Sequence, residues 1–133
     1  MTGANSPPPA GRGQCNDSVG RRGEDLAAAY LERQGLRIVE RNFRCKGGEI
    51  DIIARDGSTV VFVEVKTRRN LNYGPPQLAI TPFKQRQISK AALTWLLRQR
   101  QPDAPARFDV VAILLADHTY EVDHIRNAFD LAF

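Results

Sequence analysis

The stretch that most constrains this chain is GEIDIIARDGSTVVFVEVKTRR, which runs from Gly48 to Arg69. Two runs rich in β-branched residues meet at Asp56-Gly57, a dipeptide that favours a tight turn between antiparallel strands. The spacing therefore predicts a β-hairpin. Along a strand side chains alternate between faces, so Glu49 and Asp51 share one face of the first strand. Glu64 and Lys66 share one face of the second. A turn with an even number of residues brings Asp51 opposite Phe62 or Glu64, and either register sets both carboxylates and the lysine on one side of the sheet. An odd loop without a bulge separates them.

Val60–Val65 is almost wholly apolar, as expected of a central strand covered on both faces. Such a strand needs a core around it. The chain has 133 residues, 42% hydrophobic and 26% charged, enough for one soluble domain and too few for two. No apolar run is long enough to span a bilayer, and no export signal is recognisable at the N-terminus, so a cytoplasmic setting without a membrane partner is expected. Cys15 and Cys45 are the only cysteines and lack the spacing of a zinc site or a disulfide framework. Lys and Arg number 19 against 15 acids, and several of those acids lie in strands. The exterior is then basic and suits a polyanion.

Residues 1–19 are rich in Gly, Pro, Ser and Asn and read as a disordered tail, leaving a single domain over 20–133. Gly20–Gln34 has Leu26, Ala27, Tyr30 and Leu31 at helical spacing, with Gly35 as the stop. Glu24 sits at the edge of that apolar stripe. It either complements the helix N-terminus or faces a site. Leu36–Phe43 reads as a strand ahead of the hairpin, and 68–76 as a loop. Thr81-Pro82 opens a second helix, with Ile88, Ala91, Ala92, Trp95 and Leu96 on its core stripe. Arg107–Ala116 reads as a buried strand and Thr119–Ile125 as a shorter one, with an irregular or helical close. The order helix, three strands, helix, two strands indicates an α/β fold with a mixed sheet flanked by helices.

Placing Asp51, Glu64 and Lys66 in such a sheet has two readings. A carboxylate buried without a partner is costly, and Lys66 can neutralise one as a structural salt bridge. Alternatively, Asp51 and Glu64 can hold Mg²⁺ or Mn²⁺, with the Val65 backbone carbonyl as a third oxygen. Lys66 would then steady an attacking water and the developing charge of a phosphodiester.

Asp51 followed by Glu64-Val65-Lys66 resembles the D…E-x-K core of the PD-(D/E)XK nucleases, with Ile50 in place of the usual proline. Gly23-Glu24, Asn42-Phe43-Arg44, Gly48–Ala54, Phe62–Arg68, Lys84 and Arg107–Val111 together resemble the YraN family of small bacterial proteins. The resemblance implies a restriction-endonuclease-like three-layer fold and a nucleic-acid-related role. The family is also similar to archaeal Holliday-junction resolvases, where a first-helix glutamate joins the metal site. That similarity assigns Glu24 to the metal site. It further implies DNA as partner, branched forms included, and a homodimer.

Arg21, Arg22, Arg44, Lys46, Arg68, Arg69, Lys84 and Arg86 lie near the ends of the elements that carry the acids. If those ends converge, they form a phosphate-binding rim. Tyr73 could stack on a base. Asp109, inside a core strand, is read as structural, and His118 and His124 receive no catalytic role. The two rival functions are a nucleic-acid-binding module without turnover and a protein-interaction partner.

Overall fold

The computed structural model describes residues 14–69 and 80–130, with side chains from residue 19 onward. Tyr73 and the Gly74-Pro75-Pro76 breakers fall outside the described residues. The elements are α1 (Gln14–Arg33), β1 (Arg37–Cys45), β2 (Gly48–Asp56), β3 (Thr59–Arg68), α2 (Pro82–Arg98), β4 (Ala106–Leu115) and β5 (Tyr120–Phe129). They form one five-stranded sheet in the order β1-β2-β3-β4-β5. β3 and β4 run parallel and every other neighbouring pair is antiparallel. The parallel pair needs a crossover, and α2 lies within it. This is the expected α/β order with a mixed sheet.

The helices cover opposite faces. Ala27 and Leu31 of α1 pack on Ile52, Ala54, Val61, Val63, Val111 and Ile113. Ile88, Ala91, Ala92, Trp95 and Leu96 of α2 pack on Ile50, Ile53, Phe62, Phe108 and Val110. Three layers result, and β3, sandwiched between both helices, is buried along Val60–Glu64. The continuous apolar run of that strand follows from burial on two sides. Trp95 meets Phe62 edge-to-face at 6.0 Å, a geometry that contributes about 0.5–1.5 kcal/mol beyond area burial.

Local signals set the helix ends. Gly35 takes φ +94°, and Leu36 N–H donates to the Leu31 carbonyl at 3.0 Å, closing α1 with a left-handed cap. Thr81 caps α2 by accepting from Lys84 N–H at 3.1 Å, and Pro82 fills the first turn.

Three expectations need correction. α1 begins at Gln14, not Gly20, so 14–19 belong to the helix; Val19 packs against the α1-side core. Residues 1–13 lie outside the described residues. The strand expected to end at Phe43 reaches Cys45. The closing segment is strand, not helix or coil: β5 continues to Phe129 through a bulge. Asn127 supplies that bulge with φ 52°, its N–H donating to Asp109 Oδ1 at 3.0 Å. Beyond it the strand resumes and Phe129 stacks on Phe108 at 4.8 Å. Among the described residues no helix is long and apolar enough to cross a membrane.

Candidate active site

The hairpin register runs from Asp56↔Thr59 to Ile52↔Val63, leaving Gly57 and Ser58 as a two-residue loop. Gly57 has φ 61°, which a tight hairpin turn of this length requires. The even loop is the one that brings Asp51 level with Glu64. The regular ladder stops one residue short of that pair. Beyond it Asp51 Oδ2 accepts the Val65 backbone N–H at 2.8 Å. A side-chain oxygen thus replaces the next rung.

The alternation of β2 breaks at this point. Ile50 and Ile53 both face the α2 core, whereas Ile52 and Ala54 face α1. β1 breaks with it. Arg41 pairs with acids of α1 while Phe43 sits in the α2 core, and Asn42 between them has φ 55°. Asn tolerates the left-handed region better than most residues, so Asn42 is suited to this flip. The paired irregularity turns Asp51 away from ladder geometry and toward β3.

Glu64 is 8% exposed. Lys66 Nζ lies 3.6 Å and Lys84 Nζ 3.8 Å from Glu64 Oε2. Even so, burial and then the Asp51 charge push the Glu64 carboxyl up to about 7, outweighing both lysines. Asp51 is also raised. Burial is the main cause, opposed by its bond from Val65 N–H and by Lys84 and Lys66. Two neighbouring carboxyls made reluctant to ionise by burial and by a nearby acid, Glu49 for Asp51 and Asp51 for Glu64, are a common sign of a functional site.

Glu24 approaches from α1. Its carboxyl is raised by partial burial and by the Asp51 charge, while a hydrogen bond from the Asn42 side chain and the Arg41 charge pull it down. Gly23 makes this approach possible. A Cβ there would collide with the Thr67 hydroxyl and come within 2.9 Å of Thr67 Cβ, so only glycine lets α1 rest on β3 at this point.

These placements bring Asp51, Glu64 and Lys66 into electrostatic contact, attach Glu24 through Asp51 alone, and add Lys84 from the first turn of α2. Lys84, expected on the phosphate-binding rim, touches Glu64 directly. A residue's N–H and C=O leave an extended strand on the same side, so the Val65 carbonyl also faces β2. Arg44, Lys46, Arg69 and Arg86 are exposed, and Arg68 is half-buried at the end of β3. Sequence reasoning missed Arg41 and gave Asn42 no role. The signal for Asn42 was an asparagine inside an otherwise alternating strand. Among the described residues no group of three or more His, Cys, Asp and Glu side chains is close enough to hold a metal. Any ion here would draw its remaining ligands from backbone oxygen and water.

Asp109 belongs to a separate cluster. Fully buried, it receives Arg107 Nε at 3.0 Å, contacts His124 Nε2 at 2.8 Å and caps the Asn127 N–H. Its carboxyl is held low by His124 and Arg107, which outweigh its burial. His124 Nδ1 in turn meets Tyr30 Oη at 3.2 Å, tying β5 to α1.

Fold and site together define a three-layer α/β protein with paired acids and paired lysines at the open end of its central hairpin. The chain belongs to the YraN family, matching the uncharacterised protein family UPF0102 over residues 23–113. It is 65% identical over 118 residues to a UPF0102 protein of Geobacter metallireducens, covering 89% of this chain and 97% of the relative. A UPF0102 protein of Geobacter sulfurreducens is 63% identical over 127 residues, covering 94% and 99%. One from Syntrophotalea carbinolica is 48% identical over 114 residues, covering 86% and 93%.

Proposed function

We propose that this protein is a divalent-metal-dependent endonuclease that hydrolyses phosphodiesters in DNA, branched forms among its substrates. The observation that carries the reading is the Asp51–Glu64 pair, with Glu64 raised to about 7 although two lysines lie within 4 Å of it. Ion pairing inside the chain leaves this pair under-neutralised. A hard dication accepting one or two carboxylates fits that deficit. Asp51, Glu64 and the Val65 carbonyl would hold Mg²⁺ or Mn²⁺, and Glu24, which feels the Asp51 charge from α1, would act through a water bound to the ion. The ion would supply Lewis acidity and an activated water.

The chain's own residues then have defined roles. The bond from Val65 N–H fixes the Asp51 carboxylate, so one ligand is oriented before anything binds. Lys66 and Lys84 stand at Glu64 Oε2, where their charge can stabilise the extra negative charge of a pentacovalent phosphate. Asn42 orients Glu24 through its side-chain bond. Arg44, Lys46, Arg68, Arg69 and Arg86 would contact backbone phosphates without reading sequence.

A structural salt bridge remains the rival for Glu64, and its two lysine contacts favour it. In that case the protein binds nucleic acid without turnover. Cleavage over duplex, single-stranded, flap and four-way DNA, with Mg²⁺, Mn²⁺ or EDTA, separates the two. The nuclease reading expects metal-dependent cleavage that Glu64→Ala and Lys66→Ala abolish. Cleavage unaffected by both variants, or none with any metal, overturns it.

A further inference from the structure

A cleft of about 500 Å³ opens between α1 and β1, lined by Arg21, Glu24, Arg41, Asn42 and Arg44 among others. It adjoins the acid pair, because Glu24 lines it and also feels the Asp51 charge. Arg41 is committed to α1: it lies 2.8 Å from Asp25 Oδ1 and 3.8 Å from Glu24 Oε1. The other two arginines are less committed. Arg44 is 76% exposed, with only a loose contact to Glu49 at 3.6 Å among the described residues. Arg21 is exposed, and no ion pair holds it among the described residues. A guanidinium offers a planar fork of donors that matches phosphate oxygens.

We propose that this cleft is a subsite for the strand phosphate flanking the one held at Asp51–Glu64, gripped between Arg21 and Arg44. The ion pairs of Arg41 tie α1 to β1, so the cleft takes Arg21 from the helix and Arg44 from the strand. Glu24, shared by cleft and acid pair, limits how far apart the two phosphates can lie and so sets the register of the strand. This inference rests on the nucleic-acid reading of the neighbouring acids.

The test is equilibrium binding of a short fluorescein-labelled thymidine oligonucleotide to the full chain across a salt series, without divalent metal. Arg21→Gln and Arg44→Gln are each expected to weaken binding about tenfold. Each should also reduce the log–log salt slope by about 0.7, the value for one lost contact to a single strand. Arg37→Gln, the same charge change at the other end of β1, should leave the slope unchanged. Arg44→Lys should restore most of the slope and less of the affinity. Oligonucleotides with and without a 5′-phosphate distinguish an internal phosphate, bound equally in both, from a terminal one. All of these residues are exposed, so a melting curve superimposable on wild type excludes misfolding. Slopes that match wild type in both cleft variants, or that fall equally in Arg37→Gln, overturn the subsite. If those slopes match wild type while Glu64-dependent cleavage persists, the subsite fails and the nuclease stands. Altered slopes without cleavage under any metal leave the subsite and remove the nuclease.

Discussion

Replacing Glu64 by glutamine should make the protein more stable at alkaline pH. The Glu64 carboxyl rises from 4.5 to about 7 because burial and Asp51 oppose its charge. One pKa unit corresponds to about 1.4 kcal/mol, so ionising this buried group costs the native state roughly 3 kcal/mol. The sign follows from proton counts. Between 4.5 and about 7 the native chain keeps a proton that the unfolded chain has released. Stability therefore falls as pH rises through that window and levels off above it. Glutamine is neutral throughout and keeps the side chain's size. The stability of Glu64→Gln relative to wild type should thus climb by up to about 3 kcal/mol between pH ~4 and pH ~8. Urea unfolding at a series of pH values measures it. Parallel pH profiles for the two proteins would refute the reasoning, since they would mean that Lys66 and Lys84 already neutralise Glu64. A divalent ion adds a second arm. At about one hundred times its dissociation constant Mg²⁺ should stabilise wild type by about 2.7 kcal/mol at alkaline pH, and Glu64→Gln by much less.

Three further outcomes are expected. Gly23→Ala should destabilise by about 1–3 kcal/mol through its collision with Thr67, and Thr67→Ala in the same chain should recover much of the loss in a double-mutant cycle. Lys84→Met should move the Glu64 titration to still higher pH, because the Lys84 charge helps hold it down, as followed by carboxyl-carbon NMR. Asp109→Ala should cost about 3–5 kcal/mol by taking a buried acceptor from Arg107, His124 and the Asn127 N–H at once, although Arg107 keeps Asp56. Since the Asp109 carboxyl is held low, its stabilisation is present above the ordinary carboxylate value of 3.8 and fades as pH falls below that. Acid unfolding of Asp109→Ala should accordingly show a shallower pH dependence than wild type.

The parts legible in the sequence were those where local chemistry and tertiary packing agree. The Asp56-Gly57 turn, the Thr81-Pro82 cap and the Trp95 stripe each imply one geometry, and the fold adopts it. Elsewhere tertiary contacts override the pattern. Gln14–Val19 has weak helix formers, yet it joins α1, with Val19 anchored in the core. β5 loses its alternation at Asn127 because a bulge absorbs that residue, so the pattern stops looking like a strand.

The same holds within the candidate site. The alternation rule correctly set Asp51 near Glu64 but did not foresee how. The flip at Asn42 and the break beside Asp51 reorient the carboxylate to cap Val65 N–H, a bond that strand periodicity does not encode. Lys84 was recognisable as a cation, but its reach to Glu64 depends on α2 lying across the sheet end. Glu24 came from resemblance; the physical reason it reaches the acids is Gly23 against Thr67.

On the nuclease reading, Asp51 and Glu64 work as a pair on a scissile phosphate. The most direct measurement is cleavage and binding of four-way and flap DNA by wild type, Asp51→Asn and Glu64→Gln, in Mg²⁺ and in EDTA. Wild type is expected to cleave strands only with metal, and both variants to lose cleavage while still binding DNA. Cleavage retained by either variant, or DNA bound by wild type but left intact with Mg²⁺ and Mn²⁺ alike, would contradict it.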